Sequence, residues 1–363
     1  MSKKIIFSFG IGIFISVIAL YFSCKDIPFQ ELLLYLKKVH YLWIIPSILA
    51  ALTTYIFRTL RWKIILSKSN YSVSFKNCFN LLMIGFMINN IFPARLGGIA
   101  RPLILYQQEK VPFTTGVATV VAERVFDILL IIGSFILITF FWQIDPSFKI
   151  KFGAYHLSAV VLQGLLNKLM LLSVLLLCVI LILVITPLRN LLIRFFESIS
   201  KITERSLGKL FGEKIQAKLE AVFFSKIIQM IQHVSQGFSL IRYPKQVFIC
   251  IVLTFLIWVI QASGYYFMML GSPEISLSFL NIFLVMVIIS LFIALPSAPG
   301  FWGIWEAGGI FALALFGVKA SSAMGFTLIN HAIQVFPIIL VGLGSTFFTG
   351  VNILKISKET MRS

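Results

Sequence analysis

The stretch NNIFPARLGGIARP, Asn89 to Pro102, puts two asparagines, two arginines, two glycines and two prolines into a chain that is 59% hydrophobic. Proline and glycine interrupt helices, and an arginine within an apolar run is costly wherever that run lies in lipid. Whether this stretch joins two membrane spans or breaks a helix inside the bilayer decides the fold.

Charged residues make up only 12% of the chain and the mean hydropathy is +0.98, whereas soluble domains are about a quarter charged. Several runs reach the ~20 apolar residues that cross a bilayer. The expected fold is all-α, a polytopic membrane helix bundle of six to eight spans, because alternating strands are absent and lipid offers open backbone no partners. Cys24, Cys78, Cys178 and Cys250, like His40, His156, His233 and His331, are scattered without disulfide or ligand spacing. No Walker loop, HExxH, GxSxG or dinucleotide fingerprint is present, so no catalytic residue, metal or cofactor is expected. The net charge of +18 comes from cations flanking apolar runs, which points to anionic lipid and not to nucleic acid.

The first run, Ile5 to Phe22, follows Lys3 and Lys4 and reads as a retained anchor, since no A-x-A cleavage site follows. Later runs are Tyr41–Leu60, Phe75–Phe92, Val111–Trp142, Leu169–Pro187, Val247–Leu270, Phe279–Leu295, Phe301–Phe316 and Met324–Phe348. If each run crosses fully, the ten Lys and Arg of Arg189–Lys245 and the five of Arg58–Lys76 fall on opposite sides. Both groups belong in the cytoplasm. The conflict disappears if Asn89–Gly98 is the tip of a re-entrant hairpin that enters at Phe75 and returns through Pro102 to Glu109 and Lys110. Its breaks are Pro93, Gly97 and Gly98. LPSAPGFWGIWE, Leu295 to Glu306, reads as a second hairpin entering from the opposite face, broken at Pro296, Pro299 and Gly300.

This arrangement leaves Lys25, Lys37, Lys38, Lys149, Lys151, Lys168 and Lys319 outside, with Asp145 to Lys168 as an external segment. It has six full spans, both termini cytoplasmic, and two hairpins in an inverted-repeat-like order. Broken helices in corresponding places of two halves point to a substrate site near the midplane. Residues 1–353 would be one transmembrane domain, 188–245 a basic amphipathic cytoplasmic insertion, either lying on the inner leaflet or forming a solvated helical hairpin packed on the membrane domain, and 354–363 a short basic tail.

Ionisable residues at bilayer depth are functional candidates by default. Arg95 and Arg101 flank the first break, with Asn89 and Asn90 leading in. Glu123, Arg124 and Asp127 interrupt the long run after it, with Glu123 and Asp127 on one helix face. Glu306 is the only acid between Ile275 and Leu354. Arg58, Arg61 and Trp62 sit where an apolar run ends and read as interfacial anchors, with Arg61 also able to meet a headgroup. These charges could form a buried network that specifies packing. They could equally form an anion site of arginine forks and half-helix N-termini. The candidate substrate-binding set is Asn89, Asn90, Arg61, Arg95, Arg101, Glu123, Arg124, Asp127 and Glu306.

These residues carry a resemblance over roughly Ile5 to Ile353. Arg58, Arg61 and Trp62, PARLGGIAR from Pro93 to Arg101, ERVFD from Glu123 to Asp127, and PSAPGFWGIWE from Pro296 to Glu306 follow in this order. The chain resembles the flippase-like membrane proteins grouped with the transmembrane region of lysylphosphatidylglycerol synthases. That resemblance implies movement of an anionic phospholipid or a polyprenyl-phosphate-linked lipid between leaflets of a bacterial inner membrane. It implies no aminoacyl transfer, which in the synthases belongs to a soluble C-terminal domain. Two departures stand out: Gly97-Gly98 replaces the usual Gly-Glu, and Pro299-Gly300-Phe301 replaces the usual Pro-Gly-Gly. Other classes open to the sequence are a lipid-modifying membrane enzyme using Glu123, Asp127 or Glu306, and a non-transporting partner of envelope glycolipid assembly.

Overall fold

The computed structural model describes residues 10, 13–21, 25, 27–69, 71–92, 95–141, 149–152, 155–211, 243–295, 297–353 and 356. The breaking prolines Pro93 and Pro296, residues 212–242 of the basic insertion and nearly all of the 354–363 tail lie outside them. The described chain is helical apart from one antiparallel strand pair, Lys149–Phe152 with Tyr155–Ser158. The helices are α1 (residues 13–21), α2 (Phe29–Lys38), α3 (Ile44–Ser67), α4 (Phe75–Ile91), α5 (Gly97–Glu109) and α6 (Phe113–Phe141). They continue with α7 (Ala159–Val184), α8 (Thr186–Phe211), α9 (Pro244–Leu270), α10 (Phe279–Phe292), α11 (Ile304–Ala314) and α12 (Ala320–Thr349).

Among the described residues, three segments, Tyr41–Ser67, Pro244–Leu270 and Ala320–Thr349, are long and apolar enough to cross a membrane. The outward faces of α9 and α12 carry exposed Phe248, Phe255, Leu340 and Phe347, a surface made for lipid and not for water.

α3 and α9 pack antiparallel along their whole length. Lys68 lies over the Tyr243 ring at one end, Arg61 and Arg58 meet Thr254 and Gln261 midway, and the His40 N–H donates to the Gly271 carbonyl at the other end.

α4 and α5 form a hairpin whose two ends lie together. The Asn77 amide donates to Glu109 Oε1 at 2.5 Å, and the Ser74 hydroxyl caps α4 by accepting from the Asn77 N–H at 3.1 Å. With 17 and 13 residues, these helices are about 26 and 20 Å long, short of the ~30 Å hydrocarbon core. Their closest approach requires glycine: a Cβ on Gly97 would lie 1.9 Å from the Gly85 carbonyl oxygen. Gly97→Val is therefore expected to lower stability by roughly 3 kcal/mol or more, since backbone cannot yield as a side chain can. Gly98→Ala, with nothing within 4 Å of its Cβ position, should be tolerated. Equal melting temperatures for the two variants in detergent would contradict this packing.

α10 and α11, with 14 and 11 residues, repeat the design. The Ser278 hydroxyl accepts from the Asn281 N–H, so Ser-Phe-x-Asn opens both hairpins. Ser322 at the start of α12 donates to Glu274 ahead of α10 at 2.5 Å, holding the segment before this hairpin against the helix that follows it. The units α3–α6 and α9–α12 share one helix order, with lengths of 24, 17, 13 and 29 residues against 27, 14, 11 and 30. Their neighbours recur too, lead helix on entering helix, entering on returning, returning on long.

Several boundaries differ from the sequence expectation. α3 runs well past Leu60, so Arg61 and Trp62 are 1% and 0% exposed inside the bundle and are not interfacial anchors. α7 begins at Ala159 and already contains Lys168, which the sequence placed in an external segment. α2 was not expected. Its Tyr35 ring packs at Gly325 of α12 and its hydroxyl donates to Ser272, a use of an amphipathic face that a hydropathy scan passes over.

Candidate functional site

The hairpin tips meet each other. Arg95, in the left-handed region at φ 54°, holds its guanidinium 5.4 Å from the centre of the Phe301 ring, itself at φ 64°. Beside this contact, residues of α3–α6 and α9–α12 line a cavity of about 350 Å³.

One wall is charged. Arg58 and Arg61 lie three residues apart on α3, and Arg124 and Asp127 three apart on α6, so each pair shares a helix face. Asp127 accepts from both terminal nitrogens of Arg61, at 2.7 and 3.2 Å, and Arg61 also donates to Thr254 Oγ1 at 2.7 Å. Arg58 and Arg124 approach the same carboxylate at 3.6 and 3.8 Å, and Arg58 donates to Gln261 Oε1 at 3.0 Å. Arg95 pairs with no carboxylate of the described residues. Three arginines thus meet one acid, which can neutralise only one of them, and Arg95 adds a further positive charge at the cavity.

The other wall is aromatic and amide. Trp258 of α9, Trp305 of α11 and Gln334 of α12 line the cavity, and their indole N–H groups and amide nitrogen have no hydrogen-bond partner. Buried donors without acceptors are uncommon in finished structures. Both walls therefore suit a ligand that is negatively charged and rich in oxygen.

Asn89, Asn90, Arg95, Arg124 and Asp127 of the sequence-derived set line this cavity. Asn89 does so while capping α5, its Oδ1 accepting from the Gly97 N–H at 2.8 Å. Arg61 lies behind Asp127. Arg101 and Glu123 pair with each other beside the cavity, with Arg101 stacked 4.0 Å over Trp62, whose indole N–H donates to Thr119. Glu306 is also off the cavity wall, fully buried, and bonded to His331 and to the Gly303 N–H.

Arg58, read from the sequence chiefly as an anchor, lines the cavity, and sequence reasoning missed Trp258, Gln261 and Gln334. The available signals were the three-residue spacing of Arg58 and Arg61, and single glutamines inside otherwise apolar spans. Gly98 also borders the cavity, with open space at its Cβ position. An acid there would face Arg95 and Arg124, so its absence makes this site more cationic.

Charged side chains held among long apolar helices, with two broken helices meeting at the charge, define a polytopic integral membrane protein with a polar site inside its helical bundle. The chain belongs to the lysylphosphatidylglycerol synthase TM region family, whose sequence profile matches residues 9–342. It is similar to three archaeal proteins described as UPF0104 membrane proteins. One, from Methanocaldococcus jannaschii, is 30% identical over 36% of this chain and 41% of its own length. Those from Methanothermobacter thermautotrophicus and Pyrococcus horikoshii are 24% and 23% identical over 80% and 88% of this chain and 79% and 89% of theirs. No solved structure matches the chain.

Proposed function

We propose that the protein moves a lipid with an anionic, phosphate-bearing headgroup between membrane leaflets. The observation that carries this reading is the excess of arginine over carboxylate in a cavity formed where two broken hairpins meet. A phosphate would be held by Arg58, Arg95 and Arg124, with the unpaired N–H groups of Trp258, Trp305 and Gln334 completing its shell, while the acyl tails remain in lipid. The lipid-modifying enzyme reading has less support. Glu123 and Asp127 are each paired with arginine, and Glu306 lies off the cavity wall, bonded to His331.

In this reading the units α3–α6 and α9–α12 are inverted repeats, and α4–α5 and α10–α11 are re-entrant hairpins from opposite faces. The joined hairpin ends and the short helices support that topology. The distribution of Lys and Arg favours a bacterial cytoplasmic membrane with both termini inside. Lys76→Cys and Lys110→Cys should both react with an impermeant thiol reagent from the cytoplasmic side only; reaction from opposite sides would remove the first hairpin.

The transport test is exchange of tail-labelled phosphatidylglycerol in liposomes containing the purified protein. Exchange above that of protein-free liposomes is expected, and a rate equal to theirs would sink the reading. Gly98→Glu offers a gain of negative charge at an uncrowded position. An added carboxylate ~8 Å from a bound phosphate repels it by about 2 kcal/mol at an effective dielectric of ~20, so exchange should slow more than tenfold with little change in melting temperature.

A further inference from the structure

The four-helix repeat contains a buried acid–base pair at the same step in each half, with the charges exchanged. In the first half Arg101 of α5 pairs with Glu123 of α6; in the second Glu306 of α11 pairs with His331 of α12. Each pair joins the first turns of a returning half-helix to the third turn of the long helix that follows. Arginine keeps its proton in proteins, so the base of the first pair is fixed. Histidine exists with one or two ring protons, so in the second pair both members can exchange a proton.

The hydrogen bonds of His331 define where its protons lie. Nε2 is 2.7 Å from the carbonyl oxygen of Gly300. A carbonyl only accepts, so Nε2 carries hydrogen. Nδ1 is 2.6 Å from Glu306 Oε1, and one further proton must lie between those two atoms. The other carboxyl oxygen of Glu306 accepts the Gly303 N–H at 2.6 Å. Both side chains are 0% exposed, and the imidazole stacks on Trp305 at 4.4 Å with Trp302 tilted against it at 4.3 Å.

We propose that Glu306 and His331 form a proton-binding site that couples proton movement to the headgroup cavity through the tip of the second hairpin. As a coupling site it rests on the lipid-moving reading above; as a proton site it stands on the geometry alone. Removal of the shared proton leaves a carboxylate and an imidazole with a single N–H. If that hydrogen stays on Nε2, a nitrogen lone pair faces a buried carboxylate. If it moves to Nδ1, a lone pair faces the Gly300 carbonyl. The first arrangement strands a buried charge, which is the costlier outcome, so the hydrogen moves to Nδ1 and the bond to Gly300 is lost. Gly300 and Phe301 are the left-handed residues of the tip, and Phe301 carries Arg95 on the cavity side. Proton occupancy therefore latches this tip against α12, and proton release frees it beside the bound headgroup.

The elements packed around the pair contribute few charges. α1 presents Ser16, α10 presents Ile289 and Phe292, and α4 presents Met83 and Met87 to α12. The titratable or charged groups are Tyr35 of α2 at Gly325, Tyr265 of α9 beside Asn330, Tyr55 and Arg58 of α3 on the cavity wall by Gln334, and Arg95 of the first tip.

Two measurements test the site. In liposomes holding the full chain and tail-labelled phosphatidylglycerol, an imposed difference of about one pH unit should shift the leaflet distribution by about tenfold for one proton per lipid. His331→Gln should reach the same distribution with and without the gradient. A wild-type distribution indifferent to the gradient, or a gradient response retained in His331→Gln, would overturn the coupling. Independently of any lipid, tryptophan emission of the purified protein should change in one step as the pH is varied across the range in which the protein stays folded. Trp302→Phe should reduce that step, and His331→Gln and Glu306→Gln should abolish it. Absence of the step in the wild type would overturn the proton site even if the protein moves lipid. A step without lipid exchange would leave the proton site standing and remove the transport reading.

Discussion

Asp127→Ala is expected to cost about 3–5 kcal/mol of stability, the range for removing one partner of a buried charge pair. Asp127 is the bidentate acceptor of Arg61, whose side chain is 1% exposed, and Arg58 and Arg124 lean on the same carboxylate. Without it Arg61 keeps one hydroxyl partner, Thr254, and a charge with no counterion. The loss would appear as an early unfolding transition in detergent. Arg61→Met added to Asp127→Ala should restore part of it, because replacing both members of a buried pair by apolar groups is often nearly neutral. A drop below about 1 kcal/mol for the single variant would mean that water or lipid, and not Asp127, compensates Arg61.

Arg95→Gln and Arg124→Gln should behave in the opposite way. Both side chains are exposed at the cavity, with Arg124 only a distant third cation on Asp127 at 3.8 Å. Folding should change little. A hydrogen bond to a charged group is worth ~1.5–3 kcal/mol, so each substitution should slow anionic-lipid exchange by roughly tenfold to a hundredfold. The double variant should also lose preference for phosphatidylglycerol over a zwitterionic lipid, measured in the same liposomes. Loss of exchange accompanied by loss of folding would show that these arginines support structure instead.

The breaks after α4 and α10 were legible because their signals are local. Proline and glycine cluster where the chain leaves these helices, although Pro102 and Pro337 sit inside α5 and α12. α4, α9, α10 and α12 begin within a few residues of the expected positions for the same reason. The charge network was legible only in part. Arg61 and Arg58 read as anchors because the apolar run ends at Leu60, whereas the helix continues to Ser67. What lets it continue inside the bundle is compensation by Asp127 and Thr254, which are 66 and 193 residues away. Trp258, Gln261 and Gln334 looked like ordinary members of apolar spans, since their position depends on how α9 and α12 pack. Arg101 is the converse case: next to the break it looked like a ligand for an anion, yet it is tied to Glu123 and stacked on Trp62. The partner of Glu306 was hidden by a lone histidine that matched no motif.

The central claim is that the cavity between the hairpin tips holds a phosphate-bearing headgroup. Native mass spectrometry of the detergent-purified protein tests it most directly. The wild type should retain phosphatidylglycerol in preference to phosphatidylcholine when both are supplied equally. The Arg58→Gln, Arg95→Gln, Arg124→Gln triple variant should lose that preference while remaining folded. Equal retention of the two lipids by the wild type, or an undiminished preference in the folded triple variant, would contradict the account.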